Sequence, residues 1–206
     1  GDIADPNEGD YVIDLCAAPG GKTLCIADKL KGTGRVDARD ISRSKTDLIR
    51  ENAIRQSFLN VVVTEKDASQ LDSDSLEKAD ILIADVPCSG LGVMGRKTDI
   101  KYKMNPAKIQ ELAGLQRLIL EQASTYVKPG GTLIYSTCTI TNEENLDNVK
   151  WFTEHFPYEL ESLDPYLCKE LQSETTSKGY LQLLPGVHQC DGFFIARMKR
   201  KTEWNA

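Results

Sequence analysis

A glycine-rich segment that directly follows a short apolar run most constrains how this 206-residue chain can fold. Residues 11–13 read YVI and residues 14–23 read DLCAAPGGKT. This order predicts a buried strand and then a turn whose backbone comes close to a bound cofactor. Cysteines follow two later apolar runs, in segments 85–90 (DVPCSG) and 136–139 (STCT). A parallel sheet would bring the turn and both thiols to one edge, the layout of an enzyme that uses thiol chemistry beside a cofactor.

Length and composition predict one globular domain. Hydrophobic residues make up 40% of the chain and charged residues 27%, enough for a core that needs no disulfide or metal. The six cysteines include no Cys-x-x-Cys pair, and His155 and His188 lie outside any ligand spacing. We therefore expect reduced thiols, no metal site and no dithiol redox role. No run approaches a membrane span and no signal peptide is visible, so we expect a cytoplasmic protein with no membrane partner. Nothing apolar and repetitive demands a partner subunit, so we expect a monomer.

The charge argues against nucleic-acid binding by bulk electrostatics. The formal net charge is −6 and the isoelectric point is about 5.1, whereas such binding needs many phosphate contacts from basic side chains. Two local basic clusters remain. They are Arg96, Lys97, Lys101 and Lys103, and Arg197, Lys199, Arg200 and Lys201. Most such clusters are a solvated face, so a local binding strip stays an alternative interpretation.

The alternation of apolar runs with helical periodicity predicts an α/β fold with a largely parallel sheet. The predicted strands lie near 11–15, 35–39, 61–64, 80–85, 132–136, 157–162 and 191–198. Helices are predicted near 43–56 and 106–127. The first would bury Leu48, Ile49 and Ala53 on one face, and the second has Asn105 as its N-cap. Segment 164–190 predicts an irregular excursion that shapes the substrate cleft.

Acidic residues at strand ends indicate the cofactor type. A phosphate-binding P-loop needs glycine where Cys16 stands, and a dinucleotide loop needs spaced glycines where Gly20 and Gly21 are adjacent. Asp40 lies 20 residues after Gly20, where a carboxylate can accept hydrogen bonds from ribose hydroxyls. Asp67 ends the third strand and is placed to meet an adenine edge. This pattern favours an adenosine cofactor without phosphates, such as S-adenosylmethionine.

Together these segments resemble the S-adenosylmethionine-dependent RNA 5-methylcytosine methyltransferases, and among them the bacterial 16S ribosomal RNA enzymes of the Sun/Fmu type. The matching segments, in the order of that family, are 16–23 (CAAPGGKT), 40–42 (DIS), 67–68 (DA), 85–90 (DVPCSG), 136–139 (STCT), 142–145 (NEEN) and 191–194 (DGFF). Val86 stands where the family usually has alanine, a small apolar change. The matches cover nearly the whole chain.

The resemblance implies a Rossmann-like class I methyltransferase fold, with a mostly parallel seven-stranded sheet and an antiparallel C-terminal strand. It implies that residues 1–206 form the catalytic domain and that the upstream RNA-binding region of the family is absent. S-adenosyl-L-methionine would be the cofactor. The implied cofactor-binding residues are Cys16, Ala17, Ala18, Pro19, Gly20, Gly21, Lys22, Asp40, Asp67, Ala68 and Asp85.

The resemblance also assigns catalytic roles. Cys138 is the implied nucleophile that adds to carbon 6 of cytosine, and Cys88 promotes release of the product. Asp85 would hydrogen-bond the ring near N3, and Lys22 would lower a thiol pKa or orient the base. A competing assignment makes Cys88 the nucleophile, because Pro87 and Cys88 resemble the Pro-Cys pair of DNA cytosine methyltransferases. The implied partner is 16S ribosomal RNA with a single-stranded or looped cytidine; transfer RNA and an inactive cofactor-binding RNA scaffold are alternatives.

Overall fold

Strands and helices alternate along most of the chain, and the strands join into one mixed sheet. The structure, a computed structural model, describes residues 1–203. The strands are β1 (Tyr11–Asp14), β2 (Arg35–Asp40), β3 (Val61–Glu65), β4 (Ala79–Asp85), β5 (Val127–Thr137), β6 (Tyr158–Leu160), β7 (Tyr180–Leu183) and β8 (Phe193–Arg200). The helices are α1 (Gly21–Lys29), α2 (Arg43–Arg55), α3 (Ile100–Lys103), α4 (Pro106–Tyr126), α5 (Leu146–His155) and α6 (Glu174–Ser177).

The sheet has the order β3-β2-β1-β4-β5-β8-β6, and β7 also pairs with β8. Strands β1 to β5 pair in parallel, whereas β8 runs antiparallel to β5, β6 and β7. This confirms the predicted Rossmann-like α/β fold and its antiparallel C-terminal strand. Because parallel strands point the same way, the segments that follow β1, β2, β4 and β5 meet at one edge of the sheet.

The prediction of seven strands is wrong by one. Strand β7 lies inside the segment predicted to be irregular, and it pairs Leu181 with Ile195 of β8. The serines and prolines on either side of this strand are typical of irregular structure, so the pattern favours a loop. Gly179, just before β7, has φ +95°, and a Cβ there would lie 2.8 Å from the carbonyl oxygen of Glu161. The chain enters β7 through a turn that glycine alone fits without strain.

The core lies on both faces of the sheet, because successive strand residues point to opposite sides. Ile13 and Leu82 face a large cluster that α4 and α5 cover with Leu120 and Phe152. On the opposite face, Val12, Ile81 and Ile83 pack against Ile26 and Leu30 from α1 and its end.

Within residues 1–203, no helix has the length and hydropathy needed to cross a membrane.

The two predicted long helices are confirmed. Asn105 caps α4 by accepting a hydrogen bond from the backbone N–H of Lys108 at 2.9 Å, and Pro106 occupies the first turn. In α2, Ile49 is buried as predicted, but Leu48, expected on the same face, is 48% exposed. The apolar stripe of α2 is narrower than its sequence indicates.

Candidate active site

The glycine-rich loop joins β1 to α1. Gly20 has φ +108° and forms the N-cap of α1, and its N–H donates to the carbonyl oxygen of Ala17 at 2.7 Å. At Gly21 a Cβ would meet nothing within 4 Å, so the backbone faces open space. The first N–H groups of α1 carry the partial positive charge of a helix N-terminus. The loop thus has accessible backbone at Gly21.

Asp40 fastens this loop to the end of β2. Its carboxylate is buried, with an exposed fraction of 4%. Oδ2 accepts a hydrogen bond from the N–H of Ala18 at 3.0 Å, and Oδ1 accepts from the N–H of Ile41 at 2.8 Å. Lys45 Nζ lies 3.1 Å from Oδ1. Asp40 therefore stabilises the loop, in addition to the ribose contact that the sequence predicts.

Asp67 and Ala68 border a cavity of about 230 Å³. Leu15, just before the glycine-rich loop, and Tyr126 also line it. Asp67 is exposed, and its Oδ1 accepts hydrogen bonds from the N–H of Ser69 at 2.9 Å and the Ser69 hydroxyl at 2.7 Å. The cavity adjoins the loop and has the Asp67 carboxylate at its rim.

The two predicted thiols lie side by side. Cys88 follows β4 and Cys138 follows β5, and these strands are paired neighbours in register at Asp85 and Ser136. The two Sγ atoms are 3.1 Å apart, and the N–H of Cys138 donates to Cys88 Sγ at 3.3 Å. Both side chains are partly buried. The pair is close in space although 50 residues separate it in sequence.

The contact between the two thiols shifts their pKa values in opposite directions. The hydrogen bond from Cys88 lowers the pKa of Cys138 to about 7, against an opposing effect of burial. The pKa of Cys88 is raised, first because its thiol donates that bond and second because it is buried. Cys138 is therefore the more readily ionised thiol of the pair. Burial raises the pKa of Cys16 to about 12, so this third cysteine near the loop stays a neutral thiol.

Alkylation of Cys138 by iodoacetamide is expected to increase with pH through a midpoint near 7. Only the thiolate reacts, so the alkylation rate follows the deprotonated fraction of Cys138, which increases as the pH passes the pKa. Cys88→Ala removes the bond that lowers this pKa and should move the midpoint up toward the free-thiol value of about 8.5. Mass spectrometry of the peptide containing Cys138 gives the rate, with exposed Cys168 as the internal reference. An unchanged midpoint in Cys88→Ala would show that another group lowers the pKa.

Lys22 and Asp85 form an ion pair beside the thiols. Asp85 ends β4, and its Oδ1 accepts a hydrogen bond from the Ser136 hydroxyl at 2.7 Å. Lys22 Nζ also lies 5.9 Å from the ring centroid of Phe193. The ammonium therefore orients the Asp85 carboxylate, while Cys88 is the main cause of the lowered pKa of Cys138.

Asp14 lies at the same edge of the sheet, although the sequence pattern predicts no role for it. It is buried at the end of β1, where Oδ2 accepts a hydrogen bond from the Thr23 hydroxyl at 2.7 Å. Its Oδ1 is the one buried side-chain N or O atom without a hydrogen-bond partner among residues 1–203. Burial raises the pKa of Asp14 to about 7. The sequence signal was present, since an acidic residue directly precedes the glycine-rich turn.

The basic clusters separate into two kinds. In the first, Arg96 pairs with Asp191 at 3.1 Å, and Lys101 Nζ lies 4.8 Å from the ring centroid of Tyr102. In the second, Arg197 is buried and bonds Glu161 at 2.6 Å, so it is structural and not part of a binding strip.

Within residues 1–203, no group of three or more His, Cys, Asp or Glu could hold a metal ion.

Comparison with known sequences identifies relatives of the whole chain. A family model described as 16S rRNA methyltransferase RsmB/F matches residues 2–199. Ribosomal RNA small subunit methyltransferase F from Escherichia coli O139:H28 is 36% identical over 202 residues, which cover 98% of this chain and 42% of the relative. The protein of that name from Cronobacter sakazakii is 35% identical over 199 residues, covering 96% and 42%. The chain spans less than half the length of these relatives.

Solved structures show the same relationship. NSun6 from Pyrococcus horikoshii with SFG superposes with a TM-score of 0.86 at 32% identity, covering 98% of this chain and 50% of that chain. A methyltransferase homolog protein from the same organism has a TM-score of 0.79 at 32% identity, covering 96% and 63%. A SAM-dependent O-methyltransferase from Thermotoga maritima shares the fold alone, with a TM-score of 0.62 at 15% identity, covering 99% and 64%.

Proposed function

Since this chain belongs to the 16S rRNA methyltransferase RsmB/F family, we propose that it methylates carbon 5 of a cytidine in RNA, with S-adenosyl-L-methionine as the methyl donor. A looped or single-stranded cytidine of 16S ribosomal RNA is the proposed substrate, because the base must leave its stack to reach the thiols. Residues 1–206 supply the catalytic domain of this activity. We propose that the chain acts as a monomer in the cytoplasm.

The residues around the glycine-rich loop fit this cofactor. Asp14 Oδ1 is buried without a partner among the described residues, and a cationic ligand group would provide one. Asp40 uses three of about four acceptor positions of a carboxylate, which leaves one for a ribose hydroxyl. Asp67 and Ala68 border the adjoining cavity. When bound, S-adenosyl-L-methionine supplies an electrophilic methyl group.

Covalent attack by Cys138 activates the base. Carbon 5 of cytosine is a poor nucleophile, and addition of a thiolate to carbon 6 makes carbon 5 electron-rich. Cys138 has the lower pKa of the pair, so it supplies the thiolate more readily than Cys88 near neutral pH. Asp85, oriented by Lys22, would accept a hydrogen bond from N3 once N3 takes up a proton, and that proton neutralises the negative charge that thiolate addition places on the ring. This supports Cys138, and not Cys88, as the nucleophile.

Cys88 then serves the release step. Once the Cys138 sulfur is bonded to carbon, it is no longer the thiolate acceptor that raises the Cys88 pKa. Cys88 can release its proton to solvent and accept the proton from carbon 5. Loss of that proton restores the ring double bond and expels Cys138 as a thiolate. The observation that carries this proposal is the 3.1 Å separation of the two sulfur atoms at the sheet edge that also carries the glycine-rich loop.

Incubation of the chain with radiolabelled S-adenosyl-L-methionine and unmodified small-subunit ribosomal RNA is expected to place label in 5-methylcytidine. Nucleoside analysis of the product identifies the methylated base, and transfer RNA serves as the competing substrate. Label confined to transfer RNA would reject the ribosomal assignment. Cofactor binding by calorimetry without any transfer would favour the scaffold interpretation.

Asp40→Ala is the cofactor arm of the same test. Loss of a ribose contact and of the bond to Ala18 should weaken S-adenosyl-L-methionine binding by about 1–3 kcal/mol in calorimetry. Asp47→Ala is the matched control, because Asp47 lies on α2 with a half-exposed side chain. Equal affinity in both variants would remove Asp40 from the cofactor site.

A further inference from the structure

Two adjacent residues, Glu144 and Asn145, lie between the loops that carry the thiols. They follow β5 and precede α5, and their exposed fractions are 0% and 1%. Neither residue has a part in the chemistry described above. Burying a carboxylate costs free energy unless hydrogen bonds compensate it, so a residue of this kind needs a structural or functional reason.

Glu144 holds the loop that carries Cys88. Its two oxygens accept four hydrogen bonds from neutral donors, which fills the acceptor capacity of a carboxylate. The donors are Ser89 N at 2.8 Å, Ser89 Oγ at 2.5 Å, Gln116 Nε2 at 2.9 Å and Thr141 Oγ1 at 2.9 Å. Gln116 Nε2 also donates to the carbonyl oxygen of Pro87 at 2.9 Å. Cys88 is therefore held through the residue before it and the residue after it.

Asn145 holds the loop that carries Cys138 in the same way. Its Oδ1 accepts a hydrogen bond from the Thr137 hydroxyl at 2.5 Å, and its Nδ2 donates to the carbonyl oxygen of Thr139 at 3.1 Å. The two loops are also joined directly, because Ser89 Oγ lies 2.7 Å from Thr139 Oγ1. Asn145 therefore contacts the residues on both sides of Cys138, whereas Glu144 contacts Ser89 directly and is linked to Pro87 through Gln116.

We propose that Glu144 and Asn145 are positioning residues that set the separation of the Cys88 and Cys138 sulfur atoms. Because they are consecutive on one backbone, they fix the two loops relative to each other and not only to the sheet. The catalytic consequence rests on the proposed function, since a shift of about 1 Å at reacting groups lowers a rate on the order of a hundredfold. The effect on the separation of the two sulfur atoms does not depend on the proposed function.

Isosteric substitutions separate the two hydrogen-bond patterns. In Glu144→Gln, the amide oxygen still accepts hydrogen bonds from the N–H groups of Ser89 and Gln116. The amide NH₂ faces the hydroxyls of Ser89 and Thr141, which can rotate to accept. In Asn145→Asp, a carboxylate oxygen replaces the NH₂ group and faces the carbonyl oxygen of Thr139. Glu144→Gln preserves the hydrogen bonds to the Cys88 loop, whereas Asn145→Asp removes the hydrogen bond to Thr139. Neither substitution alters side-chain volume appreciably.

The test measures how readily the two thiols form a disulfide in a glutathione redox buffer. Oxidation of Cys88 and Cys138 to one disulfide reduces one glutathione disulfide to two glutathiones, so the equilibrium constant reports the relative placement of the sulfurs. We expect Asn145→Asp and Glu144→Ala to lower this constant by about tenfold or more, and to lower kcat for methyl transfer about 10-fold to 100-fold with KM for the cofactor nearly unchanged. Glu144→Gln should recover most of both quantities.

Glu143→Ala is the matched control, because Glu143 is the exposed neighbour of the pair. Circular dichroism establishes that each variant is folded, and Ser89→Ala, which removes one hydroxyl between the loops, replaces any variant that is not. Wild-type disulfide equilibrium constants in the folded variants would overturn the proposal. If the wild-type chain transfers no methyl group, the proposed function fails, while the glutathione titration still decides the positioning role.

Discussion

Cys88→Ala is expected to leave a covalent protein–RNA adduct that survives denaturing electrophoresis, whereas Cys138→Ala forms none. Without Cys88, no thiol is placed to take the proton from carbon 5, and the bond between Cys138 and carbon 6 persists. Without Cys138, the bond never forms. The structure supports this order because the pKa of Cys138 is lowered to about 7 and that of Cys88 is raised.

The same pair of variants separates the rates. Loss of a nucleophile costs about a thousandfold or more in turnover, so Cys138→Ala should show no measurable methyl transfer. Cys168→Ala is the control, since that thiol is exposed. Electrophoresis of each variant with labelled RNA and S-adenosyl-L-methionine shows the adduct as a shifted band. An adduct in Cys138→Ala and none in Cys88→Ala would reverse the two roles.

The edge of the sheet that holds the site was predictable from the sequence. Apolar runs place the glycine-rich turn, Asp40, Asp85 and both cysteines after parallel strands, and such strands end at a common edge. The contact between the sulfurs was not predictable, because the sequence shows only that no cysteine pair is close along the chain. Their 3.1 Å distance depends on the loops beyond the strands.

The sequence was least informative where side chains of like type have unlike environments. Arg197 and Lys199 appear in the sequence as one basic strip, yet Arg197 is buried against Glu161. Periodicity indicates which strand face is inward, but it cannot indicate which buried charge finds a partner across the sheet. Burial of a charge is decided by such a partner and not by local pattern.

Arg39 is such a buried charge, and Arg39→Leu is expected to lower the free energy of unfolding by about 3–5 kcal/mol. The guanidinium is 3% exposed and holds Asp37, which is 4% exposed. Its Nε and Nη2 donate to Asp37 Oδ2 at 2.9 and 2.6 Å, and Nη2 donates to the Ser75 hydroxyl at 2.7 Å. Nη1 lies 3.2 Å from Asp72 Oδ2. The loss leaves the Asp37 carboxylate buried without its cation.

Urea denaturation followed by circular dichroism measures this effect, with Arg55→Leu at the exposed end of α2 as a control that should change stability by about 0.5 kcal/mol or less. The double variant Arg39→Leu with Asp37→Leu tests the cause, because replacing both partners of a buried pair costs far less than removing one. Recovery of stability in the double variant would show that the uncompensated Asp37 carboxylate is responsible. If the double variant is as unstable as Arg39→Leu, the loss comes instead from the contacts of Arg39 with Ser75 and Asp72, the second of which borders the cavity beside the glycine-rich loop.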